Sequence, residues 1–352
     1  MRPYLKVDLQ RIIQNYKVYK KYVKNKTVIS VVKANGYGLG AVKISSALNS
    51  AGCVDFAVAS IDEGVELREN GIKGNILVLG FTPAKESKTI LHYDLTQTLV
   101  DKSHAESFNE PNMKAAIKIN VGMNRFGFDG KNLSECEINI RRYYKKYKIT
   151  DIYTHFPLAD ADKNDTLKRF CLFKSVLKSV SDLNIVRAHC SASAAGIGLI
   201  DDLPYTRLGI MLYGLSPNPD FPLLNGIRQS CALYGEIVLI RRIQKGEAAG
   251  YGRGFIAERE TDIAVINVGY ADGLIKSAAN KTEVFIRGKR AKVVAVCMDV
   301  CLADVTGISV KAGDKAEFYG DDISVKEISE KLGAIDYEIV TRAGNRIKRI
   351  YV

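Results

Sequence analysis

Two textures divide this chain. From residue 27 to about residue 210, short β-branched apolar runs alternate with longer stretches whose apolar positions recur at helical spacing. The runs are 27–33, 53–59, 75–80, 96–100, 115–119, 150–154, 185–189 and 206–210. Between them lie stretches such as 41–48 and 168–177, each with an apolar face and a polar one. Eight strand-then-helix units, spaced at roughly 20 to 35 residues, predict a (β/α)8 barrel, because parallel neighbours need crossover connections. An open doubly wound sheet is the alternative that the pattern alone leaves standing.

After about residue 228 the pattern changes to alternating and β-branched runs punctuated by glycine turns, at 235–241, 262–268, 283–290 and 292–297. This predicts a mostly antiparallel β domain, interrupted by one helix over 324–332 with Ser324 as N-cap and Glu327 three residues on. The expected organisation is therefore α/β, a TIM-like barrel over residues 1–228 followed by a β domain over 229–352.

At 352 residues, with 47% hydrophobic and 26% charged positions, the chain can bury a large core and is neither disordered nor fibrous in composition. No apolar run approaches the roughly 20 residues that span a bilayer. The opening MRPYLKVDL lacks the apolar core of a secretory signal, and a cytoplasmic protein without a membrane segment is expected. Seven cysteines form no CxxC pair and only four histidines are present, so neither a disulfide scaffold nor a metal site is expected. The net charge of +12 is concentrated in stretches such as 17–24 and 141–148, where tyrosines interleave with bases. These read as solvated helix faces, with Tyr16, Tyr19 and Val23 on the packed side, in preference to a nucleic-acid surface.

In a barrel of this kind, chemistry gathers at the carboxyl ends of the strands. Lys33 closes the first run, Lys118 and Arg125 end and follow the fifth, His155 follows the sixth, His189 and Ser193 the seventh, and Arg207 lies in the eighth. A lysine at the end of a buried strand should have its amine pKa lowered by desolvation, which suits a Schiff-base anchor; a paired barrel-mouth cation is the plainer alternative. The glycines after Lys33, in VVKANGYGLG, fit neither G-x-x-x-x-G-K-[ST] nor G-x-G-x-x-G. Tyr37, four residues past the lysine, could donate its hydroxyl to a phosphate on the same bound molecule.

The segment from Lys33 through Gly40 resembles the cofactor-lysine motif of the alanine racemase family, which includes the related serine racemase catalytic domains. The similarity continues through 118–128 (KINVGMNRFGF), Thr154-His155-Phe156, 189–194 (HCSASA), 207–214 (RLGIMLYG), 250–253 (GYGR), 269–273 (GYADG), Cys297-Met298-Asp299 and Tyr337-Glu338. It implies pyridoxal 5′-phosphate bound covalently to Lys33, with its phosphate held by Tyr37, Ser193, the backbone of Gly209 and Ile210, and Tyr337. It implies that Arg207 faces the pyridine nitrogen; His155 is counted with the cofactor-binding residues, and Arg207 acting through it is the candidate relay that lowers the pKa of the second catalytic group. That group is Tyr251, which with Lys33 would flank the substrate α-carbon.

The resemblance further has Arg125 contacting the substrate carboxylate and aligns Lys118 with a lysine carbamylated in many members. In the family the active site is shared in a homodimer, so Tyr251, Tyr270, Met298 and Asp299 would reach the barrel of the other chain. The expected substrate is alanine, interconverted between its L and D forms for cell-wall synthesis. Serine is the close alternative, and a non-catalytic cofactor carrier the more distant one. Tyr337 would narrow the side-chain pocket, where serine racemases of vancomycin resistance carry a smaller asparagine. The chain departs from the family pattern at Asn120-Val121 (usually Asp-Thr), Ala192 (usually Asn) and Leu39 (usually His); no group assigned to catalysis is lost.

Overall fold

The computed structural model describes residues 2–199 and 201–352. In chain order the first ten strands are β1 (Tyr4–Val7), β2 (Thr27–Val31), β3 (Asp55–Val58), β4 (Asn75–Val78), β5 (Thr96–Leu99), β6 (Lys114–Asn120), β7 (Phe128–Asp129), β8 (Lys148–Tyr153), β9 (Arg187–His189) and β10 (Tyr205–Leu208). The eight apolar runs become β2 to β6 and β8 to β10, all parallel, each next to its sequence neighbour. The ring closes where β10 pairs with β2, Arg207 opposite Ile29, and the remaining seam is filled by β5 against β6. The barrel reading is thereby met, and the doubly wound alternative is excluded because no strand of this ring is left as an edge. β7 extends β6 by two residues.

The β-branched runs are buried along their whole length because a barrel strand faces side chains inside and helices outside. Ile29, Phe56, Ile76, Leu77, Leu99, Ile117, Ile152 and Leu208 are core residues. On the helix Leu9–Tyr22, Tyr16 and Tyr19 are buried while Lys17, Lys20 and Lys21 are exposed, the amphipathic arrangement its spacing predicts. In the helix Leu133–Lys146, Tyr143 is buried and Arg141 is tied to Asp182 and Glu137 at 2.7 and 2.8 Å. Among the described residues, no helix is long and apolar enough to cross a membrane.

The second β system comprises β11 (Cys231–Ile243), β12 (Ala248–Ala249), β13 (Phe255–Ile256), β14 (Thr261–Ile266), β15 (Glu283–Ile286), β16 (Lys289–Val296), β17 (Cys301–Asp304), β18 (Lys315–Tyr319) and β19 (Lys348–Tyr351). Its pairings are antiparallel except that β1 runs parallel to β19. The helix Val325–Leu332 starts as expected, with Ser324 Oγ accepting from the amide of Glu327 at 3.1 Å. The Glu327 carboxylate turns instead to Arg290, at 3.0 Å from Nη2.

The spatial division differs from a single cut at residue 228. One compact unit gathers the N-terminal segment to Gln14, Tyr37–Gly40 and Tyr213–Val352; the other holds Asn15–Gly36 and Ala41–Leu212. The reason is pairing: β1 lies antiparallel to β11, Tyr4 opposite Tyr234, so the chain begins in the β unit before entering the barrel. The segment Tyr37–Gly40 joins the same unit, and Gly38 (φ 83°) runs so close to Val340 that a Cβ there would lie 2.6 Å from its carbonyl oxygen.

Candidate active site

Lys33 is separated from the end of β2 by Val32 alone and opens an unusual turn. Ala34, Asn35 and Gly36 all have left-handed backbone angles (φ 53°, 52° and 61°), and Tyr37 continues at φ 55°. Left-handed geometry costs about 1–2 kcal/mol for a residue with a Cβ, and only glycine and asparagine adopt it readily. The turn is held by the Gly36 amide donating to Val32 O at 2.8 Å and the Ala41 amide donating to Asn35 Oδ1 at 3.0 Å. The glycine-rich stretch is thus a mount for the residue that precedes it.

Around Lys33 the barrel unit collects positive charge. Burial lowers the Lys33 pKa, the charges of Arg125 and Arg207 lower it further, and Glu63 opposes them. Lys118 is buried near the end of β6 and brought down to about 7, by burial first and then by Arg125, Arg207 and Lys33. Its amine lies 5.5 Å from the Tyr153 ring centre and 5.6 Å from that of Phe126. Arg125 is exposed, on a loop whose start is shaped by Asn120: its Oδ1 accepts from the amides of Gly122 and Asn124, each at 3.0 Å. Asn120 therefore fills the loop-shaping role without bringing a carboxylate to Lys118.

Arg207 is buried, and its two terminal nitrogens meet four acceptors. Nη2 donates to Thr154 O at 2.8 Å, Cys190 O at 3.0 Å and His155 Nδ1 at 3.3 Å, while Nη1 donates to His189 Nδ1 at 2.5 Å. The other ring nitrogen of His189 donates to Asp151 Oδ1 at 3.3 Å. Arg187 ties that oxygen, at 3.0 Å, to Asp55, at 2.7 Å. Burial pushes His189 down to about 4, so near neutral pH it is an uncharged imidazole whose tautomer is set by Asp151. His155 is held well below its ordinary value, by burial first and then by the charges of Arg207, Lys118, Arg125 and Lys33. Ser193 Oγ accepts from the amide of Gly209 at 3.1 Å, linking the start of the helix Ser193–Gly198 to the turn that begins at Ile210.

The other named residues lie in the β unit. Tyr37 is buried between two rings, 4.7 Å from Tyr213 and 5.9 Å from Tyr337, and burial, with Tyr337 second, raises its pKa so that it stays a phenol. Tyr270, Met298 and Asp299 share one corner. The amides of Tyr270 and Ala271 donate to Cys297 O and Met298 O, each at 3.0 Å, and Arg346 bridges Asp299 and Asp272, each at 2.7 Å. Tyr251 stands apart at the tip of the β12–β13 hairpin, where Gly250 (φ 79°) passes 2.5 Å from the Ala295 Cβ by its own would-be Cβ. Its side chain is 86% exposed, against 53% for Met298 and 40% for Tyr270.

Sequence reasoning named Lys33, Arg125, Lys118, His155, Ser193 and Arg207 but passed over Asp151, Arg187 and Asp55, and placed His189 at a strand end without giving it a role. A signal was present: Asp55 and Asp151 each interrupt a β-branched run expected to be buried, and a buried acid requires partners.

Residues 7–217 match the model of the alanine racemase N-terminal domain, and residues 230–351 that of the alanine racemase C-terminal domain. The alanine racemase of Desulforamulus reducens is 35% identical, with 98% of each chain aligned, and that of Carboxydothermus hydrogenoformans 34%, with 100% of each. Among solved structures, the alanine racemase from E. faecalis superposes with a TM-score of 0.91 at 30% identity, over 99% of this chain and 98% of that one.

Proposed function

This chain belongs to the alanine racemase family, and from that premise we propose that it interconverts L- and D-alanine with pyridoxal 5′-phosphate as cofactor, using Lys33 and Tyr251 as the two proton-transfer groups. The observation that carries the reading is the cluster Lys33, Lys118, Arg125 and Arg207. None of the four forms an ion pair with a carboxylate among the described residues, and at least three depress or feel one another's charge. Such a group of cations calls for anionic ligands, and the cofactor's phosphate and phenolate with the substrate's carboxylate supply them.

The residues present fit the cofactor. Lys33 would anchor its aldehyde, and the depressed pKa favours the neutral amine that can attack a carbonyl. The Ser193 hydroxyl, the backbone of Gly209 and Ile210, and the phenols Tyr37 and Tyr337 would hold the phosphate. When bound, the cofactor supplies an electron-withdrawing ring that acidifies the α-hydrogen of an attached amino acid.

The protein's part is to choose where protons go. Arg207, locked by four acceptors, can only donate, so it would leave the pyridine nitrogen unprotonated and the ring a modest electron sink. A modest sink would favour prompt return of the α-proton by the protein's own groups over side reactions. Lys33 would take or return the proton on one face and Tyr251 on the other, with Arg207 acting through His155 to favour the phenolate. Arg125 would bind the substrate carboxylate, oriented by Lys118, which in its neutral form can add carbon dioxide to become a carbamate.

We assign the enzyme to a homodimer in which Tyr251, Tyr270, Met298 and Asp299 complete the partner's site; the exposure of Tyr251 and Met298 supports this. The role is supply of D-alanine for peptidoglycan in the cytoplasm, with no nucleic-acid partner. The test is steady-state racemisation of L-alanine and L-serine by wild type and Lys33→Ala. Alanine should be preferred, and Lys33→Ala should lose both the covalent cofactor band and turnover. A preference for serine, or an active Lys33→Ala, overturns the reading.

A further inference from the structure

The left-handed turn after Lys33 is held from outside by one carboxylate. β2 and β3 pair in parallel up to Val31 opposite Ala57, and the Val32 amide makes the last rung, to Ala57 O at 2.9 Å. Beyond it the strands part, and two backbone N–H groups are left facing the gap. Both donate to Glu63: Ala34 to Oε1 at 2.6 Å and Ala59 to Oε2 at 2.7 Å.

Glu63 sits at the third position of the helix Ile61–Glu69, whose N-cap Ser60 accepts from the Glu63 amide at 3.3 Å. In the usual capping box the glutamate carboxylate would reach back to the N-cap's own N–H. Here it passes that amide by. It spends one oxygen on Ala59 and the other on the first residue of the strained turn, so helix capping does not account for the side chain.

We propose that Glu63 is a positioning residue for Lys33, its carboxylate bridging the ends of β2 and β3 to lock the left-handed turn that aims the lysine. The assignment rests on the reading of Lys33 as the cofactor anchor. The requirement is for two acceptors at one point, because two N–H donors converge there. A carboxylate meets it and a carboxamide does not, since its NH2 would meet one of the donors. Glu63 also contributes the negative charge that opposes the burial and the Arg125 and Arg207 charges acting on Lys33.

The bridge predicts a local defect in Glu63→Gln, which keeps size and shape. In the cofactor-free chain, hydrogen exchange at the Ala34 and Ala59 amides should accelerate about tenfold or more, while amides of the barrel core keep their protection. Titration with pyridoxal 5′-phosphate, followed by absorbance, should show about tenfold or more weaker binding, the covalent band still forming at saturation. Glu63→Asp, which keeps both oxygens but withdraws them by one methylene, should fall between wild type and Glu63→Gln, and provides the measurement if the glutamine variant does not fold. Wild-type exchange rates at both amides together with wild-type affinity would overturn the proposal. Lys33→Ala separates the two claims: its failure to lose the covalent band would refute the anchor, whereas the exchange arm, run without cofactor, tests the bridge itself.

Discussion

His189 illustrates how burying a single side chain fixes its protonation state and makes part of the stability depend on pH. Its pKa is about 4 in the fold, against an ordinary value near 6.5. Between those values the unfolded chain takes up a proton that the folded chain excludes, so the contribution of His189 to stability is present above pH 6.5 and is lost as pH falls toward 4. Over that window the loss should reach about 3 kcal/mol, and denaturant unfolding across the pH range should show His189→Gln with a flatter profile. Asp151→Ala should expose the same chain of contacts differently. With no carboxylate to hold the proton on Nε2, His189 can carry it on Nδ1 instead, so Arg207 would lose its acceptor there, and racemisation should fall at least tenfold with the cofactor still bound. Lys118 offers a third test at this scale: with an amine poised near pH 7, the protein in 13C-bicarbonate should give a carbamate signal that disappears in Lys118→Ala. None of these partnerships can be read from spacing. Asp55, Asp151 and Arg187 lie on three strands, and only barrel closure brings them together.

At the scale of elements, the turn at Ala34 to Tyr37 is where local preference and the fold conflict. Ala34 occupies a left-handed conformation that glycine would adopt without strain. Ala34→Gly should therefore stabilise the chain by about 0.5–1 kcal/mol in urea unfolding, against the usual direction for alanine to glycine, because relief of left-handed strain outweighs the added backbone entropy. Destabilisation would mean that the turn is held in some other way. The strands themselves were legible because a barrel strand is apolar on both faces and each was separated from the next by a helix-length stretch. The turn was legible only in part: three glycines announced a tight backbone, but a left-handed alanine and tyrosine carry no sequence signal, and neither does a glutamate in a helix's first turn whose carboxylate bonds outside that helix.

For the whole molecule, the alternating texture distinguished the barrel from the β system, but it could not reveal that residues 4–7 belong with the latter, since four residues carry no long-range address. The proposed catalytic pair raises the same problem. Lys33 lies in the barrel unit and Tyr251 at a hairpin tip in the other, and the proposed dimer makes each site a joint product of two chains. Mixing Lys33→Ala with Tyr251→Phe should then restore about a quarter of wild-type activity after subunit exchange, because half of the randomly formed dimers carry one intact site of two. No recovery would place both groups in the same chain. The most direct test of the central claim is the rate at which cofactor-loaded Tyr251→Phe forms D-alanine from L-alanine, beside wild type. Readily measured racemisation is expected in the wild type and a fall of about 10²- to 10⁴-fold in the variant, with cofactor binding retained. A variant that racemises at the wild-type rate, or a wild type that forms no D-alanine, would contradict that claim.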